Sequence, residues 1–341
     1  MVSQTPEADF QVSLSDDQAV VHLPPRLSVI EAVFFKQTCH ELCERTPSPE
    51  HIILDFSKTT FIDSSGVGAL VRVLKTTQTA SIDLILRNVQ SPVMSVLSLT
   101  ALDQALTFEG NSGSMTGTKE ELASKVNRKG DKNGELPTTH PSMRSSVKRL
   151  IDIVGALVGL GITGVAFIPL AIAIKTDSPG PIFFSQIRCG WMGKRFRIWK
   201  FRSMCENAEA IKSQIENQVE GPLFKNEKDF RVTRIGQFMR RTSLDELPQF
   251  WNVLKGEMSL VGTRPPLPDE VDRYEVPEWQ RLDVKPGMTG EWQVHGRSSI
   301  RTFEDVIRLD LEYQKKWSLL YDLKLILKTI GVVFNKNSGA Y

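Results

Sequence analysis

Residues 153–174 form a run of 22 positions without a charged side chain. At about 1.5 Å per residue, a helix over this run is long enough to reach across a hydrocarbon layer of about 30 Å. A soluble core offers the alternative of a fully buried helix, but such helices seldom stay apolar all round for this length. The run predicts a membrane helix over 150–175. Lys148 and Arg149 precede it and Lys175 follows it, so flanking cations give no direction of crossing. Gly159, Gly161 and Gly164 weaken the helix, and Pro169 has no amide hydrogen to donate. A helix that breaks at Pro169 and enters and leaves on one face is therefore the expectation.

Charge divides the rest of the chain. Residues 1–110 hold 7 Lys/Arg against 13 Asp/Glu, whereas residues 144–341 hold 30 against 23. An acidic front and a basic back point to separate modules with different partners. The basic half suits anionic lipid or nucleotide phosphates. Its cations are interleaved with acids and no nucleic-acid reading motif is present, which argues against nucleic acid. Residues 111–143 are polar and rich in Gly, Ser, Thr, Lys and Asn, too poor in apolar positions to bury a core. The length of 341 residues then suits a front domain over 1–110, a linker over 111–147 and a back domain over 148–341. Cys39, Cys43, Cys189 and Cys205 do not have the spacing of a zinc site and read as reduced packing residues. Residues 1–10 are polar and acidic, unlike a secretory signal.

Within the front domain, short apolar runs at 10–14, 19–23, 51–56 and 82–86 alternate with helical periodicity at 29–45, 64–78 and 93–99. This is the pattern of an α/β sheet covered by helices. The stretch Asp55-Phe56-Ser57-Lys58-Thr59-Thr60-Phe61-Ile62-Asp63-Ser64-Ser65-Gly66-Val67-Gly68 reads as strand, loop and helix, with Asp63 or Ser64 as N-cap. The Asp-Ser-Ser-Gly-Val-Gly core resembles the STAS domain, the domain of sulfate transporters and anti-sigma factor antagonists. That resemblance implies a regulatory or interaction module. It also implies that Ser64 matches a serine phosphorylated by a partner kinase in antagonist members. A docking or homodimerisation module in which Ser64 only caps a helix stays open beside it.

In the back domain, Asp245 and Glu246 stand side by side in Arg240-Arg241-Thr242-Ser243-Leu244-Asp245-Glu246-Leu247-Pro248-Gln249, with Arg231 and Arg234 upstream. An acid pair in an arginine-rich stretch is ordinarily a set of solvated ion pairs. It also suits phosphate chemistry, in which one carboxylate attacks phosphorus and the other holds a divalent metal. Further motifs follow one another: Phe183-Phe184-Ser185-Gln186-Ile187-Arg188-Cys189-Gly190, Phe196-Arg197-Ile198-Trp199-Lys200-Phe201-Arg202-Ser203-Met204, Gly262-Thr263-Arg264-Pro265, Lys285-Pro286-Gly287-Met288-Thr289-Gly290 and Gln293-Val294-His295-Gly296-Arg297. In this order they resemble the bacterial sugar transferases, the monotopic polyprenyl-phosphate phosphoglycosyl transferases.

The resemblance implies an α-rich α+β catalytic domain carrying one hydrophobic, re-entrant membrane helix. It implies transfer of sugar-1-phosphate from a UDP-sugar to undecaprenyl phosphate, with release of UMP, as the first step of exopolysaccharide or other surface-glycan synthesis. Asp245 would form a phosphosugar-aspartyl intermediate and Glu246 would help hold Mg²⁺. Lys200 and Arg264 match phosphate-binding positions, and Arg297 a position near the nucleotide. The place would be the inner membrane, with both domains on its cytoplasmic side. The family usually writes Gly-Pro-Arg-Pro where this chain has Gly262-Thr263-Arg264-Pro265, so a looser loop is expected there. Residues 317–334 read either as an interfacial amphipathic helix or as a core helix. A membrane-anchored regulatory adaptor acting through the front domain is the competing reading.

Overall fold

The computed structural model describes residues 10–15, 17–109, 140–211, 214, 215, 217, 226, 229–295 and 302–334. Arg297 and most of the expected linker lie outside the described residues. The chain divides into two compact units, one comprising Met1–Thr139 with Tyr274–Gln280, the other His140–Arg273 with Arg281–Tyr341.

In the first unit, a five-stranded sheet is ordered β1 (Gln11–Leu14), β2 (Gln18–His22), β4 (His51–Asp55), β6 (Asp83–Arg87), β7 (Thr107–Phe108). Only β1 and β2 pair antiparallel; β2–β4, β4–β6 and β6–β7 are parallel. The parallel strands are joined through α1 (Val29–Cys43), α2 (Ser64–Thr79) and α3 (Ser91–Leu99). The strand order advances in one direction, so right-handed crossovers place these helices on one face. A two-stranded ladder of β3 (Arg26–Leu27) and β5 (Phe61–Ile62) closes one end. Of the two N-cap candidates for α2, Asp63 is the cap: its carboxylate accepts the Gly66 amide at 2.9 Å. Burial raises its carboxyl to about 6, against hydrogen bonds from Gly66 and Ser65 that favour the charged form.

The second unit is built along α4 (Ser146–Asp177), one unbroken helix of 32 residues. Ser145 caps it, accepting the Lys148 amide at 3.1 Å. It starts earlier than expected because Lys148 and Asp152 are buried rather than marking its solvent end. Lys148 Nζ meets Asp322 at 2.6 Å and the Val261 carbonyl at 3.0 Å, while Asp152 accepts Ser259 Oγ and the Leu260 amide, each at 2.9 Å. The expected break at Pro169 is not an interruption: the proline lies inside the helix, which continues to Asp177. Its cost is one missing backbone donor, and Leu170 and Ile174 just beyond it are held in a core with Phe201 and Met239.

Against α4 pack the antiparallel hairpin β8 (Phe183–Cys189) and β9 (Arg195–Phe201), then α5 (Arg234–Arg241) and α6 (Gln249–Lys255). Phe167 of α4, Phe183 and Phe201 stack, with centroids 5.7 and 5.4 Å apart along the ladder. β10 (Ser259–Val261) pairs parallel with β11 (Gly287–Thr289). Two sequence motifs meet there: a Cβ on Gly262 would stand 2.2 Å from the Lys285 carbonyl oxygen, an approach only glycine allows. Helices α7 (Phe303–Lys316) and α8 (Leu319–Phe334) complete the unit. All four cysteines are free, and Cys39 and Cys189 are buried, as packing residues should be.

The outward face of α4 stays apolar. Leu150, Leu157, Val158, Val165, Ile168 and Ile172 are exposed, Val165 at 83%. On α8, Leu320, Leu323, Leu327 and Ile330 recur at helical spacing on the exposed side, while Asp322 and Leu325 are buried. The helix is thus amphipathic: one face belongs to the core and the other is free to meet an interface.

Candidate active site

The acid pair lies in a 3₁₀ turn, Leu244–Glu246, that follows α5. Ser243, just past the C-terminus of α5, turns the chain into it with φ +56°, a left-handed conformation uncommon for a residue with a side chain. Leu244 and Leu247, on either side of the pair, pack on Leu170, Ile174, Phe201 and Met239. Thr163 Oγ1 of α4 also donates to the Leu247 carbonyl at 3.3 Å. The apolar helix itself therefore positions the acids. The long sequence separation between them is closed by packing.

Asp245 is buried at 6% exposure, and Glu246 is half-buried with Lys200 Nζ 2.8 Å from its Oε1. Lys200 stands on β9, which α6 clamps through Asn252. That buried side chain accepts the Trp199 amide at 3.2 Å and donates to the Arg197 carbonyl at 2.7 Å. Arg240 donates from Nε to Ser203 Oγ at 3.0 Å. Burial lowers its pKa, while the charges of Asp245 and Asp229 act to raise it.

Arg264 forms a two-pronged pair with buried Glu270, at 2.7 and 3.1 Å. Its loop is not loosened by Thr263 in place of proline. Thr263 is buried, and its carbonyl accepts the Gly287 amide at 2.8 Å, so a backbone ladder supplies the rigidity. Arg188, on β8, joins the two clusters: burial and then the charge of Arg264 bring its pKa down to about 10, opposed by Glu270 and Glu246. It donates to the Pro265 carbonyl and to Gln186, each at 2.9 Å, while its buried Nε has no hydrogen-bond partner among the described residues. Arg188 and Arg240 stand in sequence motifs that assign them no role, and Glu270 stands in none of those motifs. Arg231, named among the approaching cations, instead pairs with Asp229 at 2.7 Å as a buried structural contact.

Among the described residues no group of three His, Cys, Asp or Glu side chains forms a ready metal cage. Two adjacent carboxylates fit Mg²⁺ nonetheless, because that ion takes hard oxygen donors and commonly one or two carboxylates, the rest being substrate phosphates and water. The assembly is an acid pair among Lys200, Arg188, Arg240 and Arg264, a setting for an electrophile that carries phosphate charge.

Comparison with known proteins identifies two domain families in the chain. A STAS domain model matches residues 9–115, and a bacterial sugar transferase model matches residues 143–336. The galactosyl transferase CpsE of Streptococcus agalactiae serotype III (strain NEM316) is 51% identical over 188 residues, covering 54% of this chain and 42% of that protein. The UDP-glucose:undecaprenyl-phosphate glucose-1-phosphate transferase of Escherichia coli (strain K12) is 40% identical over 204 residues, covering 57% of this chain and 41% of that one. The chain thus spans about two fifths of the length of these curated relatives. The anti-sigma factor antagonist SpoIIAA of Bacillus, solved in its unphosphorylated form, is 21% identical, with 35% of this chain and 99% of that chain covered and a TM-score of 0.25. With its family match running over more than half of its length, the chain belongs to the bacterial sugar transferase family.

Proposed function

We propose that this protein transfers sugar-1-phosphate from a UDP-sugar to undecaprenyl phosphate at the inner face of the cytoplasmic membrane, starting assembly of an exopolysaccharide or another surface glycan. The observation that carries the reading is the buried Asp245 beside Glu246, gripped by Lys200 and set against the apolar helix. The relatives' names supply the donor and acceptor classes: one uses UDP-glucose with undecaprenyl phosphate, another is named for galactose and a third for N-acetylgalactosamine. The sugar of this chain is left to experiment.

In the first step an Asp245 carboxylate oxygen attacks the phosphorus nearest the sugar. The bond to the bridging oxygen breaks and UMP leaves with the electron pair, giving a phosphosugar-aspartyl ester. In the second step an oxygen of undecaprenyl phosphate attacks the same phosphorus and Asp245 leaves as a carboxylate. A carboxylate is a weak nucleophile, so the diphosphate must have its charge masked. Lys200 would shift from Glu246 to a phosphate oxygen, and Arg264 and Arg188 would offer further donors. Glu246 would hold Mg²⁺, which supplies charge neutralisation on the diphosphate when bound.

Both ends of α4 are clasped by the same unit. Lys148 and Asp152 are held at one end; at the other, Asp177 accepts the Ile235 amide at 2.9 Å and Arg202 donates to the Ser178 carbonyl at 2.8 Å. A helix crossing the bilayer would put those ends on opposite sides and drag charged strands through hydrocarbon. This supports a helix held at one interface rather than one that crosses, with the exposed face of α8 proposed to meet the same interface.

The test is UMP release by membranes containing the protein, with Mg²⁺, undecaprenyl phosphate and a panel of UDP-sugars, run beside Asp245→Asn. Release with one sugar, lost in the variant, is the expected result. No release with any sugar by folded protein would sink the enzyme reading in favour of an anchored adaptor.

A further inference from the structure

Ser64, Gly68 and Arg72 follow one another at intervals of four on α2, so they share one face of the helix. On that face lies Tyr274–Gln280, which belongs to the same compact unit although about two hundred residues further along the chain. Ser64 Oγ donates to the Trp279 carbonyl at 2.6 Å. The Trp279 ring covers Gly68, where a Cβ would stand 2.5 Å from the indole Cγ. Arg72 donates to the Tyr274 carbonyl from Nε at 3.1 Å and Nη2 at 2.7 Å. Glu275 meets Lys36 of α1 at 2.6 Å and lies 3.6 Å from Arg72, and its carboxyl is held below the usual range, chiefly by the Lys36 hydrogen bond. Tyr274, Val276 and Trp279 are buried.

We infer that the Ser64–Gly68–Arg72 face is a docking surface whose ligand is the chain's own Tyr274–Gln280 segment, held reversibly. The contacts are those of peptide capture: backbone carbonyls read by a hydroxyl and a guanidinium, an aromatic ring seated on a glycine, and one acidic residue between two cations. The segment is tethered at both ends, so modest contacts hold it at a high effective concentration. A negative group on Ser64 Oγ would lose the donor and face the Trp279 carbonyl oxygen at hydrogen-bond distance. A charged Ser64 and a docked segment therefore exclude each other.

Release would reach the candidate active site through the chain. Arg281, the residue after the segment, is fully buried, paired with Asp310, and donates to the Arg264 carbonyl at 3.2 Å. Freeing residue 280 loosens the anchor of the loop that presents Arg264. This consequence rests on the catalytic reading above; the docking itself does not.

Hydrogen–deuterium exchange on the full chain in lipid nanodiscs tests it, with Gly68→Ala, Ser64→Glu and Trp279→Ala. Alanine raises helix propensity at position 68, so a loosened segment in that variant is not a weakened α2. Exchange over residues 274–282 is expected to rise about tenfold or more in Gly68→Ala and Ser64→Glu, while β4 and β6 keep wild-type rates. In the Trp279→Ala background, Gly68→Ala should add nothing further. Wild-type exchange over 274–282 in both variants would overturn the proposal, as would loosening spread over the whole front sheet. The KM for the UDP-sugar should rise several-fold with kcat changed less; an unchanged KM in a segment shown to be released would refute the link to Arg264. If no sugar is transferred at all, the exchange result still decides the docking.

Discussion

At the residue scale, Lys200 holds Glu246 in a partly buried ion pair, so its loss exposes two defects at once. The carboxylate is left with less compensation, and the proposed donor for the diphosphate disappears. Lys200→Ala is expected to lower kcat/KM by about 10²-fold or more, and Asp245→Asn to lower kcat by about 10³-fold or more while donor binding persists. Steady-state UMP release separates the two. Arg264→Lys keeps the charge and loses the fork on Glu270, so its defect should fall mainly on donor KM. Asp245, Glu246, Lys200 and Arg264 could be singled out as candidates because each sits in a local motif; the structure brings Lys200 onto Glu246 and Arg264 onto Glu270. Arg188 and Glu270 gained their meaning only from the β8–β9 hairpin and the Arg264 loop, which bring distant positions within one electrostatic field.

At the scale of elements, α4 is anchored by charge where the sequence offered only an apolar run with charges in front of it. Lys148 and Asp322 form a buried pair that Tyr313 joins at 2.9 Å. Removing one partner leaves an uncompensated buried charge, so Lys148→Ala is expected to cost about 3–5 kcal/mol, and Lys148→Met with Asp322→Leu considerably less. Chemical denaturation of the purified protein reads both. Asp63 gives a pH signature to the front unit. Its carboxyl rises from the ordinary 3.8 to about 6, a difference worth about 3 kcal/mol, so its stabilising contribution is full below pH 3.8 and is lost as pH climbs through 6. Asp63→Asn keeps the cap and removes the titration. Its advantage over wild type should grow between pH 4 and pH 7 and stay flat above, as read by thermal melts across that range. A constant difference would contradict the assignment. The front helices and main strands were readable because period-3.6 and period-2 patterns alternate cleanly there. The two-residue strands β3, β5 and β7 are too short to carry a period, and Pro169 misled because packing by Leu170 and Ile174 outweighs one absent amide.

At the scale of the whole molecule, composition separated an acidic front from a basic back, and the two family matches follow that division. What composition could not reveal is that residues 274–280 fold with the first unit, because the surface they occupy is remote in sequence. On the proposed interfacial reading, the exposed leucines of α8 are the ones that meet lipid. Leu320→Glu with Leu327→Glu should release much of the protein from its peripheral contact, lowering activity on membrane-borne acceptor several-fold while leaving the fold intact, measured by UMP release and circular dichroism.

The proposed covalent step on Asp245 is read by intact-protein mass spectrometry after mixing with UDP-sugar and Mg²⁺, without undecaprenyl phosphate. An adduct of one sugar phosphate on the wild type, absent in Asp245→Asn and discharged on adding undecaprenyl phosphate, is expected. Full turnover with no adduct at any time, or an adduct that persists in Asp245→Asn, would contradict it.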